Sequence, residues 1–470
     1  MTDESEAISA VDQAPGGWFD DATTSRVLYR TLRPDAGGRY PIVARAEGVY
    51  LWDKSGTRYL DAIGGAMVVA IGHGVTSILD TIRDQFDAVS FAYSGMFASD
   101  PAIELAELLT GHAPDGLEKA FFVSGGSEAT ESALKFARQY FVARGKPSKW
   151  KFVGRWGSYH GNTVATLSMS GRPEWRHPFE PLLLPFPLID PCSPFHCHHC
   201  RNEGRCTLRC ADALEETILR EGPEEIAGFI AEPVPAGPVT GAAPPPGYFE
   251  RIREICDRYD VLFVVDEIIT GFGRLGHWFG IDEWDVVPDM IVCGKGITSG
   301  YAPLATLLVH ERIAETLVKA DVTINHGFTF GGNPMSCAIA SAVLRHLEDE
   351  GLIERSRRLG DYFFQQASTL LDLDAVAEVR GGRGLFLGIE FVADKREQRP
   401  FPADIRFAQR VWNAALEQGV ITSLAHGGPR GEGGDCAIIA PPFIVSEEQL
   451  DEIVAVMRVA ILAAGEASAG

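Results

Sequence analysis

Nowhere in the 470 residues is there an apolar run long enough to cross a bilayer, which excludes a helical membrane span. Basic residues are also in short supply. Lys and Arg number 42 against 64 Asp and Glu, a net charge of −22. That balance argues against nucleic acid or an anionic membrane surface as partner, since both recruit clustered cations. The opening Met1-Thr-Asp-Glu-Ser-Glu6 lacks the cationic and apolar character of a secretory signal or transit peptide. A cytoplasmic location with reduced cysteines is expected, behind a disordered tail ending near Gly17. Cysteine is sparse except in one segment, where five of the nine fall between Cys192 and Cys210.

What remains is ordinary for a soluble globular protein: 46% apolar and 23% charged residues, over a length that suggests two or more domains. The chain is organised around Val261-Leu-Phe-Val-Val-Asp266-Glu267-Ile-Ile-Thr270-Gly-Phe-Gly-Arg274. Five successive apolar residues leave no polar face, so Val261–Val265 reads as a strand buried on both sides. Asp266 and Glu267 then stand at its carboxyl end, where open α/β sheets place their ligand sites. Met290-Ile-Val-Cys293 ends the same way and delivers Lys295 between Gly294 and Gly296. Two strands can thus set a carboxylate and an amine on one rim. A structural ion pair is one reading. The other is pyridoxal phosphate, which needs a lysine for its Schiff base and an acid to keep its pyridine nitrogen protonated.

A second site follows Phe121-Phe-Val123, where Ser124-Gly-Gly-Ser127 opens an amphipathic helix with Ala129, Ala133, Ala137 and Phe141 at helical spacing. Glycines at a helix start leave backbone N–H groups free to converge on an anion, with the helix dipole in support. Ser127 can bind that anion or simply cap the helix. Next come Tyr159-His160-Gly161, an aromatic pair able to stack on a planar ring or to pack structurally, and Glu232, a carboxylate ending the apolar run Ile226–Ala231. Strands and helices alternate from about Phe121 to Val309, the pattern of βαβ units and a mainly parallel sheet. Cys197, Cys200, Cys206 and Cys210 have spacing suited to tetrahedral zinc, or form an insertion loop of reduced, partly buried thiols. Further on, Gly381–Val392 alternates like a strand of an antiparallel sheet, and Ser446 caps the last helix.

In this order, Ser124-Gly-Gly-Ser-Glu-Ala129, Tyr159-His-Gly161, Glu232-Pro-Val234, Asp266–Arg274, Gly294-Lys-Gly296 and Thr329-Phe-Gly-Gly-Asn-Pro334 resemble the class III aminotransferases. These are the ω-aminotransferase type of fold-type I pyridoxal-phosphate enzymes. The resemblance runs from roughly Val43 to Ala463. It implies an α/β fold: a large domain with a mainly parallel central sheet flanked by helices, plus a smaller α+β domain. The expected division is an N-terminal tail and small-domain strands over 1–65, a cofactor-binding domain over 66–344 with a Cys-rich insert at 191–211, and a C-terminal small domain over 345–470.

The resemblance also implies roles. Lys295 would carry the cofactor and shuttle the substrate proton, and Asp266 would pair with the pyridine nitrogen. Tyr159 and Ile268 would cover the two ring faces. Gly126 and Ser127 would hold the phosphate, and Glu232 and His160 would line the cofactor environment. Thr329 would reach the phosphate of a partner subunit's cofactor, which implies a homodimer with shared sites. Arg430, in a glycine-rich loop, would meet a substrate carboxylate, or else is a solvated surface arginine; Arg383 is its rival. Phe19, Met67 and Phe97 are pocket candidates. Pro235 stands where many members carry Gln. The implied reaction passes an amino group from an ω-amino acid or primary amine to a 2-oxo acid such as pyruvate. A decarboxylating transaminase or an aminomutase would use the same fold and cofactor. A non-catalytic, zinc-stabilised interaction protein is the rival of another class.

Overall fold

A computed structural model gives the fold and describes residues 18–19, 40–193, 195–197, 199 and 206–469. In chain order, β1 (Trp18–Phe19) pairs with β2 (Tyr40–Pro41), and β3 (Val43–Glu47), β4 (Tyr50–Asp53) and β5 (Arg58–Asp61) form an antiparallel meander. The turn after β4 is held by Asp53, whose Oδ1 accepts from the Ser55 and Thr57 amides. The central sheet takes β6 (Lys119–Val123), β7 (Lys151–Arg155), β8 (Leu188–Ile189), β9 (Ile226–Ala231), β10 (Leu262–Glu267), β11 (Met290–Cys293) and β12 (Ala305–Val309). Their order is β6-β12-β11-β10-β9-β7-β8. Only β12 runs against its neighbours, so the sheet is mainly parallel, as expected. Every residue of β9, β10, β11 and β12 is buried, which is why these runs are apolar on both faces.

Helices cover this sheet. The helix Gly126–Ala143 buries Ala129, Ala133, Ala137 and Phe141, a small-residue stripe that lets it lie close over the strands. On the other side Phe229, Phe249 and Phe263 stack with centroids 6.0 and 5.9 Å apart. Each such buried ring stabilises the fold by about 1.5–3 kcal/mol.

The C-terminal part adds β13 (Val376–Arg380), β14 (Leu387–Phe391), β15 (Val420–Ile421), β16 (Ser423–His426) and β17 (Asp435–Ile439). Four of these make an antiparallel sheet, while β15 pairs parallel with β5 and so ties the C-terminal region to the N-terminal meander. One expectation fails here. Gly381–Val392 is not one strand: Gly382 and Gly384 sit at φ 76° and 56°, left-handed values that turn the chain, and the strand starts only at Leu387. The last helix, Glu447–Ala469, begins as expected at Ser446. Its hydroxyl accepts from the Gln449 amide, and the Gln449 side chain accepts from the Ser446 amide.

Lys149 fastens the entry to β7. It is 4% exposed, and its ammonium donates to the carbonyls of Pro223 (2.8 Å), Ile226 (2.8 Å) and Tyr259 (3.1 Å). Lys149→Met would leave all three acceptors without their donor. We expect a loss of about 2 kcal/mol or more in urea unfolding, because each unmet buried group costs about 1–3 kcal/mol. A variant with wild-type stability would show that water replaces the ammonium.

Candidate active site

The ends of the parallel strands converge on one rim. Asp266 and Glu267 lie at the end of β10, and β11 runs beside them in register, Asp266 opposite Val292 and Glu267 opposite Cys293. Two residues past Cys293 comes Lys295, in the left-handed region at φ 46°. Because strand side chains alternate, the adjacent carboxylates Asp266 and Glu267 point to opposite faces. Glu267 is fully buried, accepting from the Thr270 hydroxyl and from the Ile281 amide at 2.8 Å. Burial pushes its pKa up to about 7.

Asp266 faces a chain of charges. His160 Nδ1 lies 2.7 Å from Asp266 Oδ2, and the imidazole side chain is fully buried. Its Nε2 is 3.9 Å from Glu232 Oε2. Arg155 in turn donates to the Glu232 carbonyl at 2.6 Å and to its carboxylate at 3.1 Å. Burial alone would lower the His160 pKa, but the Glu232 charge and the Asp266 hydrogen bond outweigh it and raise the value. Glu232 shows the reverse: burial would raise it, while His160 and Arg155 hold it below the usual carboxylate range. Alternating signs thus run Asp266, His160, Glu232, Arg155. Glu232 also accepts from the Tyr159 amide at 3.0 Å, which fixes the loop that carries Tyr159 and His160.

Lys295 feels this set directly. Burial lowers its pKa to about 8, only partly opposed by Asp266, and the cation of Arg274 lowers it further. Burial and the Asp266 charge raise the Tyr159 phenol, so Tyr159 also stands near that carboxylate. Tyr159 meets Trp175 edge-on, centroids 5.0 Å apart, and the Arg172 guanidinium lies 4.5 Å over the Trp175 ring. No sequence signal assigned a role to Arg155, Arg172 or Trp175, and Arg274 stood only as the last residue of the organising stretch.

Opposite, the helix Gly126–Ala143 begins with no capping side chain. Ser127 does not cap it; its hydroxyl accepts from the Asn162 amide at 3.1 Å. Ile268 fills the space between this helix start and Lys295. A Cβ on Gly126 or on Gly294 would lie 3.0 Å from Ile268 Cδ1, so the isoleucine tip would have to shift by a few tenths of an ångström to admit either. His160 differs from one expectation. Hydrogen-bonded and buried behind Asp266, it is not available to stack on a ring.

The surroundings of the other predicted residues differ from one to the next. Met67 is half-buried with φ 59°. Phe97 and Thr329 are exposed. The backbone of Phe19 pairs with Tyr40, and its side chain lies outside the described residues. Arg383 is paired with Glu283 at 2.9 Å. Arg430 is paired with Asp190, at the end of β8. Its loop touches the rim: a Cβ on Gly157 would lie 3.1 Å from Pro429 Cβ. In the Cys-rich insert Cys200 lies outside the described residues, while Cys192 Sγ and Cys210 Sγ are buried 3.8 Å apart. Among the described residues no three His, Cys, Asp or Glu side chains are arranged to hold a metal ion.

The donor set fits pyridoxal phosphate. An uncapped helix start can take the phosphate, a buried carboxylate can hold a ring proton, and an amine of lowered pKa can meet the aldehyde. Comparison with known proteins agrees. The chain matches the class-III aminotransferase family over residues 35–461. It is 38% identical over 433 residues to the uncharacterized aminotransferase YodT of Bacillus subtilis (strain 168), covering 92% of this chain and 97% of that one. It superposes on an (S)-enantioselective omega-transaminase from Thermomicrobium roseum with a TM-score of 0.83 at 36% identity, covering 92% and 93% of the two chains. An omega transaminase of Pseudomonas jessenii in complex with PMP gives 0.85 at 33% identity, with 92% and 94% covered. No helix among the described residues is long and apolar enough to cross a membrane. A match over most of the chain, joined to this rim of lysine, carboxylate and open helix end, makes the chain a member of the class III aminotransferases, enzymes that work with pyridoxal phosphate.

Proposed function

We propose that this protein moves an amino group from an ω-amino acid or primary amine to a 2-oxo acid such as pyruvate, in two half-reactions that alternate on one site. The observation that carries this reading is the register of β10 and β11, which sets Asp266 and Lys295 on neighbouring strand ends. When bound, pyridoxal phosphate supplies an electron sink for the pair left behind as a C–H bond of the substrate amine breaks. Lys295 Nζ would take that proton, and its lowered pKa would keep a basic form accessible near neutral pH. Asp266 holds the ring nitrogen protonated, and His160, Glu232 and Arg155 hold Asp266 in place. Ile268 and Tyr159 would cover the ring faces, and Gly126 and Ser127 would hold the phosphate. Arg430 meets the carboxylate of the acid substrate, for which a guanidinium is shaped. Met67 and Phe97 shape the donor pocket. The omega-transaminase relatives support the choice of donor class.

We further propose a homodimer acting in the cytoplasm. Phe91, Tyr93, Met96, Phe97 and Phe330 are all exposed, and the Phe91 and Phe330 rings meet at 5.9 Å. Apolar surface of this kind favours a second copy over water. Thr329, next to Phe330, would then reach the partner's cofactor. Cys256, Cys293, Cys337 and Cys436 are buried thiols, which suits a reducing compartment.

Purified enzyme with its cofactor, given a panel of amines and ω-amino acids and no acceptor, should convert from the pyridoxal to the pyridoxamine absorbance with at least one donor. Adding pyruvate should restore the first spectrum. Release of carbon dioxide would instead assign a decarboxylating reaction. A spectrum that no donor changes would sink the proposal. A second test concerns Lys295. In cofactor-free protein, the rate of capturing pyridoxal phosphate should rise with pH through about 8 and then level, since only the neutral amine attacks. A rise centred near the ordinary lysine value of about 10.4 would show that burial does not tune this amine.

A further inference from the structure

Cys192 and Cys210 form a pair of buried thiols to which the chemistry above gives no part. The Cys210 thiol donates to Cys192 Sγ at 3.8 Å, and the two residues are 2% and 5% exposed. They come from different elements. Cys192 closely follows β8, and Cys210 lies in the first turn of the helix Arg209–Glu221. Both belong to the packed core that also holds Leu214, Tyr248 and Phe249. The sulfurs of a disulfide stand about 2.05 Å apart, so bonding would draw this pair about 1.8 Å closer.

The pair stands behind the outer end of the charge series that leads to Asp266. In the sheet Ile189 of β8 lies opposite Arg155 of β7, and the Ile189 carbonyl accepts from the Trp156 amide at 2.9 Å. The segment bearing Cys192 is thus hung from the backbone beside Arg155. The Arg155 cation acts on the Cys192 thiol. Burial raises the Tyr248 phenol, and Arg155, Cys192 and Cys210 all act on it, so the four groups share one wall. Burial, then the Cys210 hydrogen bond, pushes the Cys192 thiol well above its ordinary range, which makes its attack on an oxidant slow. Equilibrium is set by something else. A second thiol held in contact resolves a mixed disulfide at a high effective concentration, which favours the closed pair over a mixed disulfide on the exposed Cys206.

We propose that Cys192 and Cys210 are a redox-sensitive dithiol, which a small-molecule disulfide converts to an intramolecular disulfide that loosens the hold on the cofactor through Arg155. One cysteine thiolate displaces a small thiol from the reagent and forms a mixed disulfide. The other cysteine thiolate then displaces the second small thiol. The two cysteines lose two protons and two electrons, and the reagent is reduced to two thiols. Drawing the sulfurs together pulls on the segment after β8 and so on Arg155. Its contacts to Glu232, at 2.6 and 3.1 Å, are already short, and a displacement can only lengthen them.

The test equilibrates the full-length enzyme, without oxygen, in buffers of rising glutathione disulfide over glutathione. The thiols are then trapped by alkylation and mapped by mass spectrometry. A peptide linked through Cys192 and Cys210 should appear at lower ratios than those that place glutathione on Cys206. Cofactor-free protein oxidised to this point should bind pyridoxal phosphate roughly tenfold more weakly in an absorbance titration, the scale of one charge-assisted hydrogen bond. Reduction with dithiothreitol should restore the affinity. Cys192→Ala and Cys210→Ala, made separately so that one folded variant suffices, should bind the cofactor like the reduced wild type and lose the response to oxidation. Glutathione on Cys206 with Cys192 and Cys210 both still alkylated overturns the proposal, as does a disulfide to any other cysteine. So does a Cys192–Cys210 disulfide that leaves the affinity unchanged, or an affinity loss that persists in either variant.

Discussion

A carboxylate at the end of a strand buried on both faces is the constraint around which this site is built. Asp266 is 4% exposed, and its charge has little water to answer it. An unanswered buried ion costs several kcal/mol, so the surrounding residues must supply the answer. They do so as a series of alternating charges. His160 meets Asp266, Glu232 meets His160, and Arg155 meets Glu232, each from a different strand end or loop. The raised His160 pKa and the lowered Glu232 pKa are two views of that one arrangement. The result is a carboxylate held stationary in a dry setting, beside the strand end that carries Lys295.

The same burial acts on Lys295 with the opposite consequence. Desolvation penalises the ammonium, and Arg274 adds repulsion, so the amine becomes a base near neutral pH. Among the described residues Arg274 meets no carboxylate by hydrogen bond. Its guanidinium donates to the carbonyls of Leu385 (2.9 Å) and Pro441 (2.7 Å) and sits over Phe443. The Asp61 charge also acts on this cation, and its repulsion still disfavours the Lys295 ammonium. Steric rules fix the remaining geometry. Ile268 occupies the space beside Gly126 and Gly294, so the helix start, the apolar wedge and the lysine strand lie close where two side chains are missing.

How much of this was legible depended on whether the signal was local. The strands ending in Asp266 and Cys293 announce themselves as unbroken apolar runs, and the ligand rim follows from where such runs stop. The glycines before Gly126–Ala143 are equally local. Gly381–Val392 misled because its alternation of glycine and apolar residues copies a strand pattern, while Gly382 and Gly384 adopt a backbone no strand uses. Pairing at a distance was not legible at all. That His160 turns toward Asp266 depends on the β7-β9-β10 order, and that Arg430 meets Asp190 depends on a loop laid over the sheet edge. The exposure of Phe97 and Thr329 is invisible to a pattern, because both read as ordinary loop residues.

Interior and rim therefore divide the work by what it costs to rearrange them. Inside, pairs such as Arg155–Glu232 are buried on both sides, and breaking one strands a charge at a cost of about 3–5 kcal/mol. Such groups can only hold the cofactor's environment constant through the catalytic cycle. At the rim, Asp190–Arg430 has one partner open to water, and opening it costs about 1 kcal/mol or less. The overall charge of −22 does not change this, since the field of distant surface carboxylates is screened within about 8 Å in physiological salt. An acid substrate approaching the site responds to the few charges at the mouth. The charges beneath the rim are the ones the fold holds in place, because their partners are buried with them.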